Sequence, residues 1–490
     1  MQQPPTTLPL PRWVPWAEGL WLLAFTLLTR WSALGDPGYF NDELFYFAAG
    51  RHLHDGLLPY VDVWDRKGPG LFLSYYLFAA LGNGPLAYQI PALLFAAATA
   101  WCIRTLALRC TTRTGALGAA TLYLAALPMF GGGSGQTPVF YNLWMASAAL
   151  LVLRAGPDLR QGRVPRSALA AMALAGFAIT YKQTALFEAG FLGLWAVWQL
   201  RGARAPWWPG ALRLALAGIA PFALFALVFA VLGHFPELRD AMIDANLRKV
   251  NDPTGDQLAR AGRLMFMGWP LLLAAAIGLA WPPAPGARDP RPFLLGWVLA
   301  GMAGVAAVPN YYEHYALPLL VPLCVAAARA LWHDVWGLIA AALAALYCLV
   351  VGPAFSFADR DRSRAEMAAL EADIRARDPH PRLLVYQGPM SLYNRLDSYP
   401  PSPLLDNFHL YFPPENNASR LDTRAEMLRN LTWRPTVVVL FDDWPAGEEN
   451  PRTAPLVRAW AAQHCRLWFR RPFHEVFRSY TLAVYGDCRA

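Results

Sequence analysis

Two short stretches carry the charges with the most chemical potential. The first reads Gly38-Tyr39-Phe40-Asn41-Asp42-Glu43-Leu44-Phe45-Tyr46, and the second reads Pro59-Tyr60-Val61-Asp62-Val63-Trp64-Asp65-Arg66-Lys67-Gly68-Pro69. A carboxylate can take a proton from a reacting hydroxyl, and fixed cations stabilise an anion that forms or departs. The two stretches lie between apolar runs. A charged group at membrane depth is costly, so charges at the mouth of such a run have a task or a partner. The pattern alone leaves two readings open: a reactive site built of acids and cations, or a solvated loop whose charges pair with one another.

The elements that must position these residues are apolar. The 490-residue chain is 56% hydrophobic and only 16% charged, against the roughly 25% charge of a soluble domain. That excludes a disordered chain, a collagen and a small disulfide scaffold, and makes a multi-pass α-helical membrane protein the expected class. Residues 68–103, 114–153, 214–236, 264–287 and 293–312 contain no charged side chain. The net charge of +8 does not indicate nucleic acid, because the basic residues are nearly all Arg set between apolar runs. Clusters at Arg104, Arg109 and Arg113, at Arg154, Arg160, Arg163 and Arg166, at Arg201, Arg204 and Arg213, and at Arg288 and Arg291 read as cytoplasmic loops. With Arg12 also inside, about eleven transmembrane helices alternate consistently, near 16–34, 85–103, 114–131, 138–153, 166–181, 184–200, 212–233, 263–281, 292–309, 316–332 and 335–353. The run 71–81 fits only as a juxtamembrane or re-entrant helix. Residues 1–15 lack the pattern of a removable signal peptide.

This topology places four segments outside the cytoplasm: a first loop over 35–84, a mixed-charge loop over 234–262, the aromatic 309–315, and a tail from 354 to 490. The expected division is a transmembrane domain, 1–353, and an α/β domain, 354–490. In the tail, helical spacing over 363–377 accompanies strand-like runs at 383–386, 436–441, 466–469 and 480–485, with helices expected over 421–431 and 453–462. Such alternation suggests a small sheet covered by helices. If the last two strands pair as antiparallel neighbours, Cys465 and Cys488 come within bridging distance, and a disulfide is expected. The remaining cysteines, Cys102, Cys110, Cys324 and Cys348, read as inert buried thiols. No internal repeat is present.

The motifs Tyr39-Phe40-Asn41-Asp42-Glu43, Pro59-Tyr60-Val61-Asp62 and Asp65-Arg66-Lys67-Gly68-Pro69 resemble the first outer loop of GT-C glycosyltransferases. The resemblance is to the bacterial branch related to protein O-mannosyltransferases, which includes the lipid A aminoarabinose transferase and lipopolysaccharide-core sugar transferases. His314-Tyr315-Ala316-Leu317-Pro318 resembles the entry to a late helix in the same family. The resemblance implies an inverting transfer of a sugar from a polyprenyl (undecaprenyl-type) phosphate to a hydroxyl of a lipid, glycan or protein acceptor. It also implies a multi-pass protein of the bacterial inner membrane, with a cytoplasmic N-terminus and a periplasmic C-terminal domain. By resemblance Asp42 is the base, Glu43 a helper, and Lys67 the phosphate contact. Arg66, His314, Arg248, Lys249 and Lys182 are further candidates for the phosphate, with Lys182 and Glu188 alternatively a structural pair. Tyr39, Tyr60, Asp62, Asp65, Gln136, Tyr311 and Tyr312 are candidate sugar or acceptor contacts.

One departure from the resemblance bears on cofactors. Many relatives carry a further acid after the third helix, where this chain has Gly131-Gly132-Gly133-Ser134-Gly135-Gln136-Thr137-Pro138. Hard cations prefer several carboxylate oxygens, so no cofactor and a metal-independent reaction are expected. The glycine run alternatively reads as a close-approach loop. A flippase or transporter of lipid-linked sugars would share the hydropathy, but such proteins show internal symmetry and mid-membrane charges. A non-catalytic envelope assembly protein is the other alternative; it would be indifferent to loss of Asp42.

Overall fold

An apolar segment in hydrocarbon must satisfy its own N–H and C=O groups, which makes the helix its default. The structure, a computed structural model, describes residues 13–203, 205–248, 250–281, 289–331, 335–416, 418–442, 449–476 and 478–489. The helical body comprises α1 (Trp13–Arg30), α2 (Asn41–His52), α3 (Pro69–Ala79), α4 (Leu86–Ala107), α5 (Arg113–Met129), α6 (Thr137–Arg160), α7 (Arg166–Ile179), α8 (Leu186–Arg201) and α9 (Trp208–Val231). It continues through α10 (Phe235–Arg239), α11 (Ala245–Arg248), α12 (Thr254–Ala280), α13 (Arg291–Ala306), α14 (Leu320–Ala327) and α15 (Val335–Val351). Each expected span meets one of these helices. Four of them, α4, α6, α9 and α12, are long and apolar enough to cross a membrane by length and composition. The run 71–81 forms the short α3, packed against α2.

Helix packing uses small residues, which let backbones approach where burial of oil against oil gives little drive. A Cβ on Gly176 of α7 would stand 1.9 Å from the Gly218 carbonyl of α9, and one on Gly278 of α12 would stand 2.1 Å from the Ala326 carbonyl of α14. The outward faces stay apolar: in α9 only Leu214 and Phe229 are buried.

Past α15 the chain enters an α/β segment with α16 (Phe357–Arg377), α17 (Ser391–Leu396), α18 (Phe408–Tyr411), α19 (Thr423–Thr432) and α20 (Ala454–His464). Its four strands, β1 (Leu383–Val385), β2 (Val437–Phe441), β3 (Arg466–Glu475) and β4 (Arg478–Gly486), lie in the order β1-β2-β4-β3. The β1–β2 pair is parallel and the other pairs are antiparallel. Side chains alternate across the pleat. Val385, Val437, Val439 and Val484 face Met367, Leu370 and Ile374 of α16, in a core continuous with the helical body. Leu384, Val438 and Leu440 face Met427, Leu431 and Val457 beneath α19 and α20. Arg466 pairs with Gly486, so Cys465 and Cys488 flank the open end of the β3–β4 hairpin and are joined by the expected disulfide. The strand expected to stop at 469 runs on to Glu475. The short α17 and α18, between β1 and β2, have too few residues to register as a periodicity.

The two parts of the chain are stitched together. Ser32 Oγ donates to the Ala354 carbonyl at 2.9 Å, and Ser363 Oγ to Asp36 Oδ1 at 2.7 Å. Trp64, from the loop between α2 and α3, is buried in the core beneath the sheet, and its backbone N–H donates to the Pro403 carbonyl at 2.8 Å.

Candidate active site

Two close-approach loops build the site. In the Lys67-Gly68-Pro69 turn, the Gly68 and Gly70 N–H groups donate to the Tyr181 and Thr180 carbonyls at 3.2 and 3.0 Å. A Cβ on Gly68 would lie 1.9 Å from the Thr180 oxygen, so only glycine lets the turn dock on the end of α7. Tyr60 holds the same turn from the other side, donating its hydroxyl to the Lys67 carbonyl at 2.8 Å. In the glycine run, a Cβ on Gly133 would strike the Tyr39 hydroxyl at 1.9 Å, and one on Gly135 would meet Tyr88, Tyr75 and Glu43 at 2.6, 2.7 and 2.9 Å. Arg30 at the end of α1 donates to the Gly132 and Ser134 carbonyls, Tyr75 to the Gly135 carbonyl, and the Gly135 N–H donates to Glu43. The run is thus a clamped, close-approach loop, and it delivers Gln136 to Asp42: Gln136 Nε2 lies 3.4 Å from Asp42 Oδ2.

Above these loops a cavity of about 290 Å³ opens between the helical body and the α/β segment. Of the residues expected at a site, it gathers Tyr39, Asp42, Asp65, Arg66, Lys67, Tyr312 and His314 in one lining. Its walls are aromatic, with Phe40, Tyr46, Tyr315 and Phe408 among them. His314 packs edge-on against Phe40 at 5.4 Å and parallel to Tyr312 at 6.0 Å. Lys67 Nζ stands 5.7 Å from the centre of the Tyr46 ring and forms no ion pair among the described residues.

Other candidates lie elsewhere. Glu43 is fully buried away from the cavity as the anchor of Gly135; burial pushes its carboxyl up to about 8, against the opposing Gly135 hydrogen bond. Lys182 packs over the Tyr315 ring at 4.1 Å, outside the cavity lining, and Glu188 accepts from Trp297 at 2.7 Å, so no Lys182–Glu188 pair forms among the described residues. Arg248 pairs with Asp240 at 2.5 Å and reaches the Ala418 carbonyl instead of the cavity. Asp62 closes its own turn on the Leu58 N–H at 2.8 Å. Tyr60 braces the lysine turn, and Tyr311 sits in a left-handed bend at φ 49°; neither lines the cavity. Lys249 lies outside the described residues.

The wall contributed by the α/β segment was not foreseen. Asp406, His409, Glu415, Glu475 and Arg478 line the cavity with Asp65, Arg66 and Lys67. His409 bridges two carboxylates, with Nδ1 3.0 Å from Glu415 Oε2 and Nε2 3.4 Å from Asp65 Oδ2. Arg66 donates to Glu415 Oε1 at 2.8 Å, while its Nη1 is buried without a partner among the described residues. Asp65 Oδ1 accepts the Lys67 N–H at 2.7 Å and the Tyr46 hydroxyl at 3.1 Å. Burial alone would lower His409, but its hydrogen bonds to Asp65 and Glu415 outweigh that and push it up to about 10. Burial would likewise raise Asp65 and Glu415. The cations around them win, holding Asp65 well below the usual carboxylate range and Glu415 at about 2. Asp406, with burial dominant over His409, is pushed up to about 6. Ligand atoms of Asp65, Asp406 and His409 lie within 4.8 Å of one another, a geometry that can hold a metal ion. Both His409 nitrogens already face carboxylates, and Arg66 and Lys67 supply adjacent positive charge, so the cluster is balanced by the chain's own cations. The sequence signal for this wall is thin: an aromatic run, Phe408-His409-Leu410-Tyr411-Phe412, ending in Pro-Pro-Glu415.

No protein-family model matches the chain, and no curated protein matches its sequence. Solved structures do match. ArnT from Cupriavidus metallidurans superposes with a TM-score of 0.63 in the apo state and 0.61 bound to undecaprenyl phosphate, at 14% identity, over 96% of this chain and 98% of that one. The chain has the GT-C fold. The apo oligosaccharyltransferase of Archaeoglobus fulgidus matches at TM-score 0.54 and 12% identity, over 88% of this chain and 70% of that one. The arabinofuranosyltransferase AftD from Mycobacteria matches at 0.52 and 16%, over 99% of this chain and 42% of that one. Within the GT-C fold the cavity lies where the loop between α2 and α3, the loop before α6 and the α/β segment meet.

Proposed function

We propose that this chain is an inverting glycosyltransferase that moves a sugar from a polyprenyl phosphate to a hydroxyl of a cell-envelope acceptor. The observation that carries the reading is the convergence of Asp42 and Lys67 on one aromatic-walled cavity at the ends of apolar helices. The ArnT structure that holds undecaprenyl phosphate has the same fold. In this reading about eleven helices span the bacterial inner membrane, the N-terminus is cytoplasmic, and residues 354–490 form a periplasmic domain over the catalytic domain, 1–353.

The chemistry follows from charge. The acceptor hydroxyl sits against Asp42, which Gln136 orients, and gives up its proton to that carboxylate as its oxygen attacks the anomeric carbon. The bond from that carbon to the phosphate oxygen breaks on the opposite face, so configuration inverts. The departing lipid phosphate is a good leaving group that needs no acid, and Lys67, with the open donors of Arg66 and with His314, stabilises its charge. Tyr39 and Tyr312 line the cavity that receives the sugar. The reading uses no divalent cation, because the loop over 131–138 carries no acid to join Asp42 in ligating one.

The test is Asp42→Asn protein in nanodiscs, with envelope extract as the source of donor and acceptor, followed by release of free polyprenyl phosphate. A loss of about 10²–10⁴-fold in rate is expected, the range for a positioned base, with thermal unfolding near wild type. Turnover near wild type would remove Asp42 from the role. Equal lipid-linked sugar translocation by both forms, with no transfer by either, would favour a flippase.

A further inference from the structure

The α/β segment grips three consecutive residues of the loop that leads into the Lys67 turn. Trp64 is inserted into its core, Asp65 meets His409 and Arg66 meets Glu415. His409 is 3% exposed, and the Trp64 ring packs edge-on against it at 4.9 Å. Its two nitrogens are the common point of two chains of contacts. One runs through Asp65 to the Lys67 backbone N–H at 2.7 Å, the other through Glu415 to the Arg66 guanidinium at 2.8 Å. A neutral imidazole has one N–H and can donate to only one of these carboxylates; the imidazolium donates to both. Joined this way, Asp65 is satisfied by His409, Tyr46 and the Lys67 backbone, and the Lys67 ammonium stays out of an ion pair.

We propose that His409 is a positioning residue for the donor: by occupying Asp65 and Glu415 it keeps the Lys67 ammonium and the Arg66 guanidinium set for a lipid phosphate. The proposal rests on the glycosyltransferase reading above. It makes the α/β segment part of the donor site and assigns a consequence to losing the imidazolium. Without it, the buried Asp65 loses the partner of its Oδ2 and keeps only Tyr46 and the Lys67 backbone on Oδ1, two residues from the Lys67 ammonium, whose positive charge already acts on it. Lys67 then turns to Asp65 and is lost to the phosphate.

The experiment titrates undecaprenyl phosphate into full-length protein in nanodiscs, comparing wild type, His409→Gln, and the double variant Asp65→Asn/His409→Gln. His409→Gln is expected to weaken binding roughly tenfold to a hundredfold, the range for losing a hydrogen bond between charged groups. The double variant, in which Asp65 no longer carries a charge to capture Lys67, is expected to recover to within about threefold of wild type. A role confined to docking the two parts of the chain gives the opposite order, with the double variant at least as weak as the single one. That result, or unchanged affinity in His409→Gln, overturns the proposal. If His409→Gln does not fold, His409→Asn takes its place, alone and with Asp65→Asn, with the same order of affinities expected and the same results overturning the proposal. Wild type that binds no undecaprenyl phosphate overturns the donor reading itself, which separates the two failures.

Discussion

Replacing Lys67 by Ala removes the one cation of the cavity lining whose ammonium forms no ion pair among the described residues. A phosphate monoanion about 4 Å from an ammonium gains about 4 kcal/mol at an effective dielectric near 20, and about 1 kcal/mol in bulk water. Lys67 is half-buried at an open cavity, with the centre of the Tyr46 ring 5.7 Å from its ammonium, so the local medium lies between those limits. A charge-assisted hydrogen bond measured by mutation is worth about 1.5–3 kcal/mol, which falls inside the same window. The dissociation constant for undecaprenyl phosphate should therefore rise about 10- to 150-fold in Lys67→Ala. Lys67→Arg should recover only part of this, because a planar fork replaces a compact point charge above the Gly68 turn. The assay is a titration of undecaprenyl phosphate into protein in nanodiscs of neutral lipid, so that bilayer charge does not mask the effect. Affinity in Lys67→Ala equal to wild type would refute the reasoning and leave Lys67 a surface charge.

Gly135→Ala places a methyl group under 3.0 Å from Tyr88, Tyr75 and Glu43 at once; overpacking of about 1–3 kcal/mol should lower the thermal midpoint. Turnover should fall as Gln136 is displaced from Asp42, and wild-type turnover in this variant would dissociate the loop from the site. Glu43 in the fold keeps a proton to about 8 that the unfolded chain loses near 4.5, so its contribution to stability falls as pH rises through that window. Glu43→Gln should flatten the decline of the thermal midpoint between pH 5.5 and 8.5, and an unchanged slope would place the ionisation elsewhere. Turnover should survive exhaustive EDTA treatment within about twofold, since the catalytic barrier is assigned to Asp42 and fixed cations. Loss that manganese or magnesium restores would instead point to Asp65, Asp406 and His409.

Helix placement was legible in the sequence because long charge-free runs and arginine clusters are properties of whole segments. The strands were legible for a similar reason, since Thr436–Phe441 and Tyr480–Tyr485 are compact apolar runs, and the Cys465–Cys488 bond followed from pairing the last two strands, 466–469 and 480–485, as antiparallel neighbours. The Asp42 and Lys67 motifs stood out because charges beside apolar runs are conspicuous. The partners of those charges were hidden. Asp65 and His409 are 344 positions apart, and Arg66 and Glu415 are 349 apart. Such pairs come together only when the sheet and α18 dock on the loop between α2 and α3, and no local periodicity encodes that docking. Lys182 and Arg248 lie off the cavity lining for a complementary reason: proximity to a helix end does not set direction, and the first packs over the Tyr315 ring while the second pairs with Asp240.

The most direct test of a single transfer reaction built on Asp42 and Lys67 is mass spectrometry of envelope glycans and lipid-linked sugars. Cells carrying the wild-type chain are compared with cells carrying Asp42→Asn at equal abundance. The expected result is one envelope glycan that loses a sugar residue in the variant, with the same sugar accumulating on polyprenyl phosphate. Identical glycans and identical lipid-linked pools in the two strains would contradict a glycosyltransferase at this site.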